Sequence, residues 1–336
     1  MKVKTEELKN VLGKVRPSVA TAAPMGEAQV THFIFTGEHV AACDNRTFVR
    51  YPFETDFTCS VDARDMYALC DGLSEGEAEI GLDNGQLRFA AGSLKAGLRA
   101  VTDNESWEWL PTVGNDLKWK KLPKGFTDGL SLCSFAASTN SARGAYQCVH
   151  VLGKVVEASD GLRISRYALK TAFGGDGVLL PAAGVSKLVA FPVEMAVLDG
   201  AWAHFRTEDG VVFGVRLMEG EFADLGQFLE VEGGTIEVPK ELKAAIGKVS
   251  VLADAVDITE KQMSVSIAKG KITCRVEGER GWVEETVKFG GKENAEFVTN
   301  PAFFARVLDE ATKLTIGEKV LLFEAGPFRH AISRNI

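Results

Sequence analysis

Short runs of alternating apolar and polar residues, broken by glycine, come three times along the chain. HFIFTGEHVAACD, VHVLGKVVEASD and SVSIAKGKITCRVE each read as two strands around a glycine turn, at Gly37, Gly153 and Gly270. The glycines lie 116 and 117 residues apart, as do the acidic residues that close the runs, Asp44, Asp160 and Glu277. Helix starts follow at Asp62, Pro181 and Asn300, 119 residues apart each time, in VDARDMYALCDGL, LPAAGVSKLVAF and TNPAFFARVLDEA. Asp62 and Asn300 suit N-caps, and Pro301 suits a first helical turn. A second alternating pair follows each helix, AEIGLDNGQLRFAA, HFRTEDGVVFGVRL and KVLLFEAGPFRHAIS, with Asn84-Gly85 and Asp209-Gly210 as tight-turn signals.

Each third also opens on an amphipathic segment. In the first, Leu8, Val11, Leu12 and Val15 form one helical face, with Asn10 and Lys14 opposite and Lys9 and Arg16 on the flanks. In the last, Leu242, Ala245, Ile246 and Val249 do so, with Lys240 and Lys248 opposite and Lys243 on the flank. The middle opening helix, expected over Thr127 to Ala142, has no Lys or Arg; its nearest cations are Lys118, Lys120, Lys121 and Lys124 before it and Arg143 after it. Pro, Gly and charge cluster at WEWLPTVGNDLKWKKLPKG and EVEGGTIEVP, so the expected units are 1–116, 117–236 and 237–336. The pattern predicts an α+β protein of three tandem repeats, each with two helices packed on sheets.

Composition narrows the function. With 336 residues a single core is improbable, and 46% hydrophobic and 25% charged residues describe an ordinary globular chain. No stretch approaches the ~20 apolar residues of a membrane span. The segment MKVKTEELKNVLGKVR is charged and amphipathic rather than a secretory leader, so the expected location is the cytoplasm. Six scattered cysteines without CxxC pairs read as reduced, buried thiols, with neither disulfide nor metal expected. A net charge of -8 argues against nucleic-acid binding by the whole surface and leaves room for a local basic one.

Three residue stretches carry a family resemblance. Ser159-Asp160-Gly161-Leu162-Arg163-Ile164 resembles a T-D-G-H-R-L segment, EGEFADLGQFLEV resembles a D-G-x-F-P-D-Y-x-x-V-[LI]-P link, and ENAEFVTNPAFFARVLDEATKLTIGEKVLLFE resembles a last inner helix with its final strands. All three belong to the bacterial DNA polymerase III beta subunit, the DNA sliding clamp, and the resemblance runs in order along the chain. It implies a non-enzymatic processivity factor without cofactor. Two subunits would close head to tail into a six-domain ring around double-stranded DNA, gripping it without reading bases. Candidate DNA-facing residues are then Lys9, Lys14, Arg16, Arg64, Arg143, Tyr146, Lys187, Lys240, Lys243, Lys248, Arg306 and Lys313. Plain solvation is the competing account of each lysine.

The resemblance further implies a pocket for short peptides of the polymerase and clamp loader. It would use Cys148, Ser159, Gly161, Leu162, Arg163, Ile164, Phe228 and Ile332, with core packing as the alternative for Cys148. Leu162 stands where the family has His, Ala223 where it has Pro and Gln227 where it has Arg. HAISRNI replaces M-P-M-R-L, with Ile332 and Ile336 keeping apolar character. The expectation is a divergent member with altered peptide preference, as a phage or plasmid polymerase would require. The dimer contact is expected at edge strands near Leu98 to Val101 and Glu318 to Glu324.

Two other classes compete. One is a clamp-derived interaction scaffold that no longer encircles DNA, suggested by the acidic composition and the poorly charged middle helix. The other is an enzyme, for which there is little: no glycine-rich loop ends in GK[ST], Phe173-Gly174-Gly175-Asp176-Gly177 reads as a surface turn, and the five histidines lack HxxxH spacing. Asp44, Asp160 and Glu277 occupy equivalent corners of separate repeats, too far apart for acid and base work on one substrate. Trp107 and Trp109 are candidates to stack bases, with packing near the first boundary as the competing role.

Overall fold

The computed structural model describes residues 1–23, 28–103, 107–111, 113–114, 116–253 and 258–334, without the side chains of 28, 29 and 176. Ile336 and parts of the first boundary stretch lie outside these. The first repeat runs from a short strand Lys2–Lys4 into α1 (Thr5–Val15) and the strands His32–Phe35, His39–Cys43, Thr47–Pro52 and Cys59–Asp62. It continues through α2 (Ala63–Asp71) to Glu77–Asp83, Gln86–Ala91 and Leu94–Val101. The last repeat has the same order: Gly234–Glu237, α5 (Leu242–Val249), Met263–Ala268, Lys271–Gly278, Gly281–Lys288, Ala295–Thr299, α6 (Pro301–Val307), Lys313–Ile316, Val320–Ala325 and Phe328–Ser333.

The middle repeat has that order with its strands fused. After Lys120–Lys121 and α3 (Phe126–Ser134), the single strand Cys148–Ser159 pairs along both halves of a second, Arg163–Pro181. α4 (Ala182–Leu188), Val193–Asp199, Trp202–Thr207 and Val212–Arg216 complete it. Two sequence expectations fail here. Gly153, at φ +55°, sits in a shift of register inside a continuous strand rather than at a hairpin turn, a conformation glycine supplies equally well to both. Residues 173–177 belong to the strand Arg163–Pro181, with Phe173 buried and stacked on Phe126 at 5.0 Å, and are not a surface turn. The middle helix also stops at Ser134, eight residues short of Ala142.

Helix faces follow the pattern of apolar positions. Leu8, Val11, Leu12 and Val15 are buried on α1, and Leu242, Ala245, Ile246 and Val249 on α5. Helices of this length are marginal in isolation, and burial of about 1.5–3 kcal/mol per large apolar side chain holds them to the sheets. Asp62 Oδ1 accepts the Asp65 N–H at 3.0 Å and starts α2. Asn300 Oδ1 accepts from Ala302 and Phe303 at 2.9 and 3.2 Å and starts α6, with Pro301 in its first turn. The corners match too: Asp44 accepts the N–H groups of Arg46 and Thr47, and Asp160 those of Leu162 and Arg163.

Two compact units contain these elements: Met1–Leu122 with Ala183–Met218, and Pro123–Ala182 with the chain from Glu219 onward. Each takes one outer repeat and part of the middle one, because sheets run across repeat boundaries. In the first unit, Thr47–Pro52 pairs with Val212–Arg216 (Val49 opposite Phe213), which makes a 12-stranded sheet among the described residues. In the second, Arg163–Tyr167 pairs with the last strand, Ile164 opposite Ala331. In both cases the strand after an acidic corner joins the final strand of the following repeat. No helix among the described residues is long and apolar enough to cross a membrane. All six cysteines are buried free thiols, and burial pushes Cys43, Cys59, Cys70, Cys148 and Cys274 up to about 12.

Candidate partner pocket and basic helices

Within the second unit, a cavity of about 770 Å³ opens over the junction of Arg163–Tyr167 with the last strand. The corner turn builds one wall. Gly161 takes φ +91°, and Ser159 Oγ accepts its N–H at 3.0 Å while donating to the Arg163 carbonyl at 2.8 Å. This turn leaves Leu162 more than a third exposed at the mouth. The segment after Glu219 forms a second wall, with Leu225 and Leu229 buried against Ile164, Leu322 and Ala331 and with Phe228 nearly half exposed. Residues 317–320 form the third.

Seven of the eight residues expected here, Ser159, Gly161, Leu162, Arg163, Ile164, Phe228 and Ile332, line the cavity. Cys148 does not; it is fully buried at the start of its strand, and the core account applies. Tyr146, expected to face DNA, also lines the cavity, with its ring 5.7 Å from Phe222. Arg163 lines the site with its guanidinium already engaged: its Nε donates to Asp160 Oδ2 at 2.9 Å, and the group lies 3.8 Å above the Phe303 ring. Burial pulls this guanidinium below its usual value, and Asp160 opposes the shift.

The expected DNA-facing cations are in varied surroundings. Lys9 of α1 donates to the carbonyls of Asp71 and Leu73 at 3.0 and 2.6 Å, neutralising the C-terminal end of α2. Lys243, at the matching place on α5, pairs with Asp309 after α6, which Arg306 also approaches at 3.3 Å. Lys14 lies 5.5 Å from the Phe191 ring and Arg16 4.3 Å from the Tyr67 ring. Arg64 is largely exposed beside Asp65. Lys248 is 2.6 Å from Glu285. Lys240 and Arg143 are exposed. Lys187 is tied up: its Nζ is 2.8 Å from Asp44 Oδ2 and 3.2 Å from Thr47 Oγ1. Lys313 is not on a helix at all; it begins a strand, opposite Glu237 and Glu324.

Neither a protein-family model nor a curated protein sequence matches this chain. Solved structures do match it over nearly its whole length. The sliding clamp (DNA polymerase III subunit beta) of Bartonella birtlesii, bound to griselimycin, is 16% identical with a TM-score of 0.86 and covers 99% of this chain and 98% of its own. The DNA polymerase III beta chain of Streptococcus pneumoniae is 16% identical with a TM-score of 0.85, over 99% and 98%. The DNA polymerase sliding clamp of Bacillus subtilis is 16% identical with a TM-score of 0.83, over 99% and 97%. This chain has the sliding-clamp fold.

On that clamp fold, two features were absent from the sequence reading. Each repeat begins with a short strand, Lys2–Lys4, Lys120–Lys121 or Gly234–Glu237, that pairs with the first strand after its second helix. Two to four residues leave too little alternation to notice. Residues 317–320 had no signal either, since only the pairing of Arg163–Tyr167 with a strand 165 residues away brings them to the cavity. Val320–Ala325, expected at an edge, is interior, paired on one side with Lys313–Ile316 and on the other with Phe328–Ser333. Trp107 is buried and Trp109 exposed.

Proposed function

We propose that this chain is a DNA sliding clamp: two copies close head to tail around duplex DNA, and the cavity beside Phe228 captures peptides of the polymerase and loader. The repeats are then the domains 1–116, 117–236 and 237–336. The observation that carries the reading is the strand pairing between repeats. Corner strands join the final strand of the next repeat twice within the chain. The third corner strand, Gly281–Lys288, pairs among the described residues on one side alone, with Lys271–Gly278. In the first final strand, Leu94–Val101, Val101 and Ala100 meet Ser60 and Val61, and beyond them its outer side is unpaired among the described residues.

These open edges complement each other. Trp282 and Leu94 are exposed apolar side chains on them, Glu284 and Glu285 lie on one, and Lys95 and Arg99 on the other. Long open edges invite pairing, and a second copy satisfies both edges twice, which closes a ring. Sliding requires only nonspecific attraction to phosphates, which Lys14, Arg16, Arg64 and Lys240 supply from helices and their flanks.

Light scattering tests closure: the expected mass is twice 36.2 kDa, falling to one chain in Trp282→Glu. Encirclement is tested by assembling dilute subunits on nicked circular DNA. Retention on the circle and release after linearisation are expected. A scaffold that has lost encirclement is the second reading, favoured by the engagement of Lys9, Lys187, Lys243 and Lys248 within the protein. It predicts a dimer that dissociates from circle and linear DNA alike.

A further inference from the structure

The cavity has an apolar floor and a rim dominated by one sign of charge. Glu230, Glu232 and Glu318 line it with exposed side chains, and their carboxylates have no ion pair or hydrogen bond among the described residues. Lys319 is the one lining cation whose charge is available, because Arg163 is spent on Asp160 and Phe303; Arg143 approaches Gly161 from outside the lining. The wall 219–232 deepens the bias, since EGEFADLGQFLEVE carries five acidic residues and no Lys or Arg.

We infer that the segment captured here is cationic, with apolar anchors that fill the floor and flanking Lys or Arg side chains that meet Glu230, Glu232 and Glu318. This rests on the reading of the cavity as a peptide-docking site. In the free protein the three carboxylates are exposed to solvent. A basic flank pairs with them as the anchors displace water, whereas an acidic flank is repelled by them. Selection by charge therefore works through rejection as well as attraction.

Three ten-residue fluorescent peptides with the same Leu and Phe anchors, and four flanking positions occupied by Lys, Gln or Glu, test this by anisotropy on the full chain. In about 0.05 M salt the Lys peptide is expected to bind about tenfold more tightly than the Gln peptide, and the Glu peptide more weakly than either. The preference should collapse in about 0.5 M salt and in Glu230→Gln/Glu232→Gln/Glu318→Gln. A control with equal net charge, Glu54→Gln/Glu75→Gln/Glu108→Gln, should keep it, which separates the rim from the acidity of the whole chain. Equal binding of the three peptides, or a Lys preference that survives in the rim variant, overturns the inference. The docking reading is judged separately on the Gln peptide, whose binding should be lost in Phe228→Ala. If that peptide does not bind, or binds the variant equally well, the docking reading itself fails.

Discussion

The opening helices α1 and α5 of the outer repeats and α3 of the middle repeat bury corresponding positions, yet their other faces differ. Leu8, Val11, Leu12 and Val15 match Leu242, Ala245, Ile246 and Val249, and both match Phe126, Gly129, Leu130 and Cys133. In that alignment Lys9 and Lys243 correspond to Thr127, and Lys14 and Lys248 to Leu132. Leu132 and Phe135 pack on the core of the last repeat, beside residues such as Phe303 and Phe304, so a lysine there would lose its water. Gly129 belongs to the same arrangement, because a Cβ there would lie 3.0 Å from the Tyr167 ring. Absence of a lysine at position 132 of α3 is therefore a consequence of cover by a neighbouring repeat. It is not in itself a sign that DNA binding has been lost.

The largest effect that would break or sharpen this comparison lies at the corners. Asp160→Ala removes two turn hydrogen bonds and leaves the buried Arg163 guanidinium without its carboxylate, an expected loss of about 3–5 kcal/mol in urea unfolding. Asp44→Ala breaks the equivalent turn, but Lys187 can reach water more easily, so its cost should be smaller, about 2 kcal/mol. Equal losses would mean that the two corners are energetically alike.

Acid should weaken both sheet junctions. Burial lowers His204, to about 4, and holds His330 well below its ordinary value. His204 packs edge-on to Phe48 of the first repeat, and His330 is 2.8 Å from Ser165 of the middle one. Their unfolded forms take up a proton near pH 6.5 while the folded forms do not, so stability falls as pH drops from about 6.5 towards 4. Urea midpoints at pH 7 and 5 should differ by about 2–4 kcal/mol in unfolding free energy, and His204→Gln should reduce the difference. Asp44 works lower. Burial raises it, but the Lys187 hydrogen bond and the turn N–H groups outweigh that, so its contribution is present above about pH 4 and is lost as pH falls through its lowered value.

Leu132→Lys converts the middle helix to the outer type and should cost about 1–3 kcal/mol, whereas Lys14→Leu should be within about 0.5 kcal/mol of neutral. A neutral Leu132→Lys would refute the explanation by cover. Asp62→Ala and Asn300→Ala should each cost about 1 kcal/mol through lost caps, with Asn300 the larger because its amide also donates to the Ile258 carbonyl. Lys243→Ala should likewise cost no more than about 0.5 kcal/mol, since its pair with Asp309 is well exposed to solvent.

Much of this molecule is legible in its residues, for local reasons. The 116 to 119 residue period, the caps at Asp62 and Asn300, the faces of α1 and α5 and the turn at Asn84-Gly85, with both residues at positive φ, all depend on neighbours a few positions away. Seven residues named from the family resemblance line one cavity, five of them on the corner turn and its strand, with Phe228 on the segment after Glu219 and Ile332 on the last strand. Gly153 was misread for a local reason too, since a turn and a bulge ask the same of glycine. Everything that depends on distant partners was decided by tertiary structure: the pairing of Lys187 with Asp44, the burial of Cys148, the interior place of Val320–Ala325 and the acidic rim that 317–320 completes. Sequence periodicity determines which face of a strand or helix is apolar. Only folding determines what covers that face, and here it is strand pairing between repeats that decides which lysines stay in water and which edges are left open.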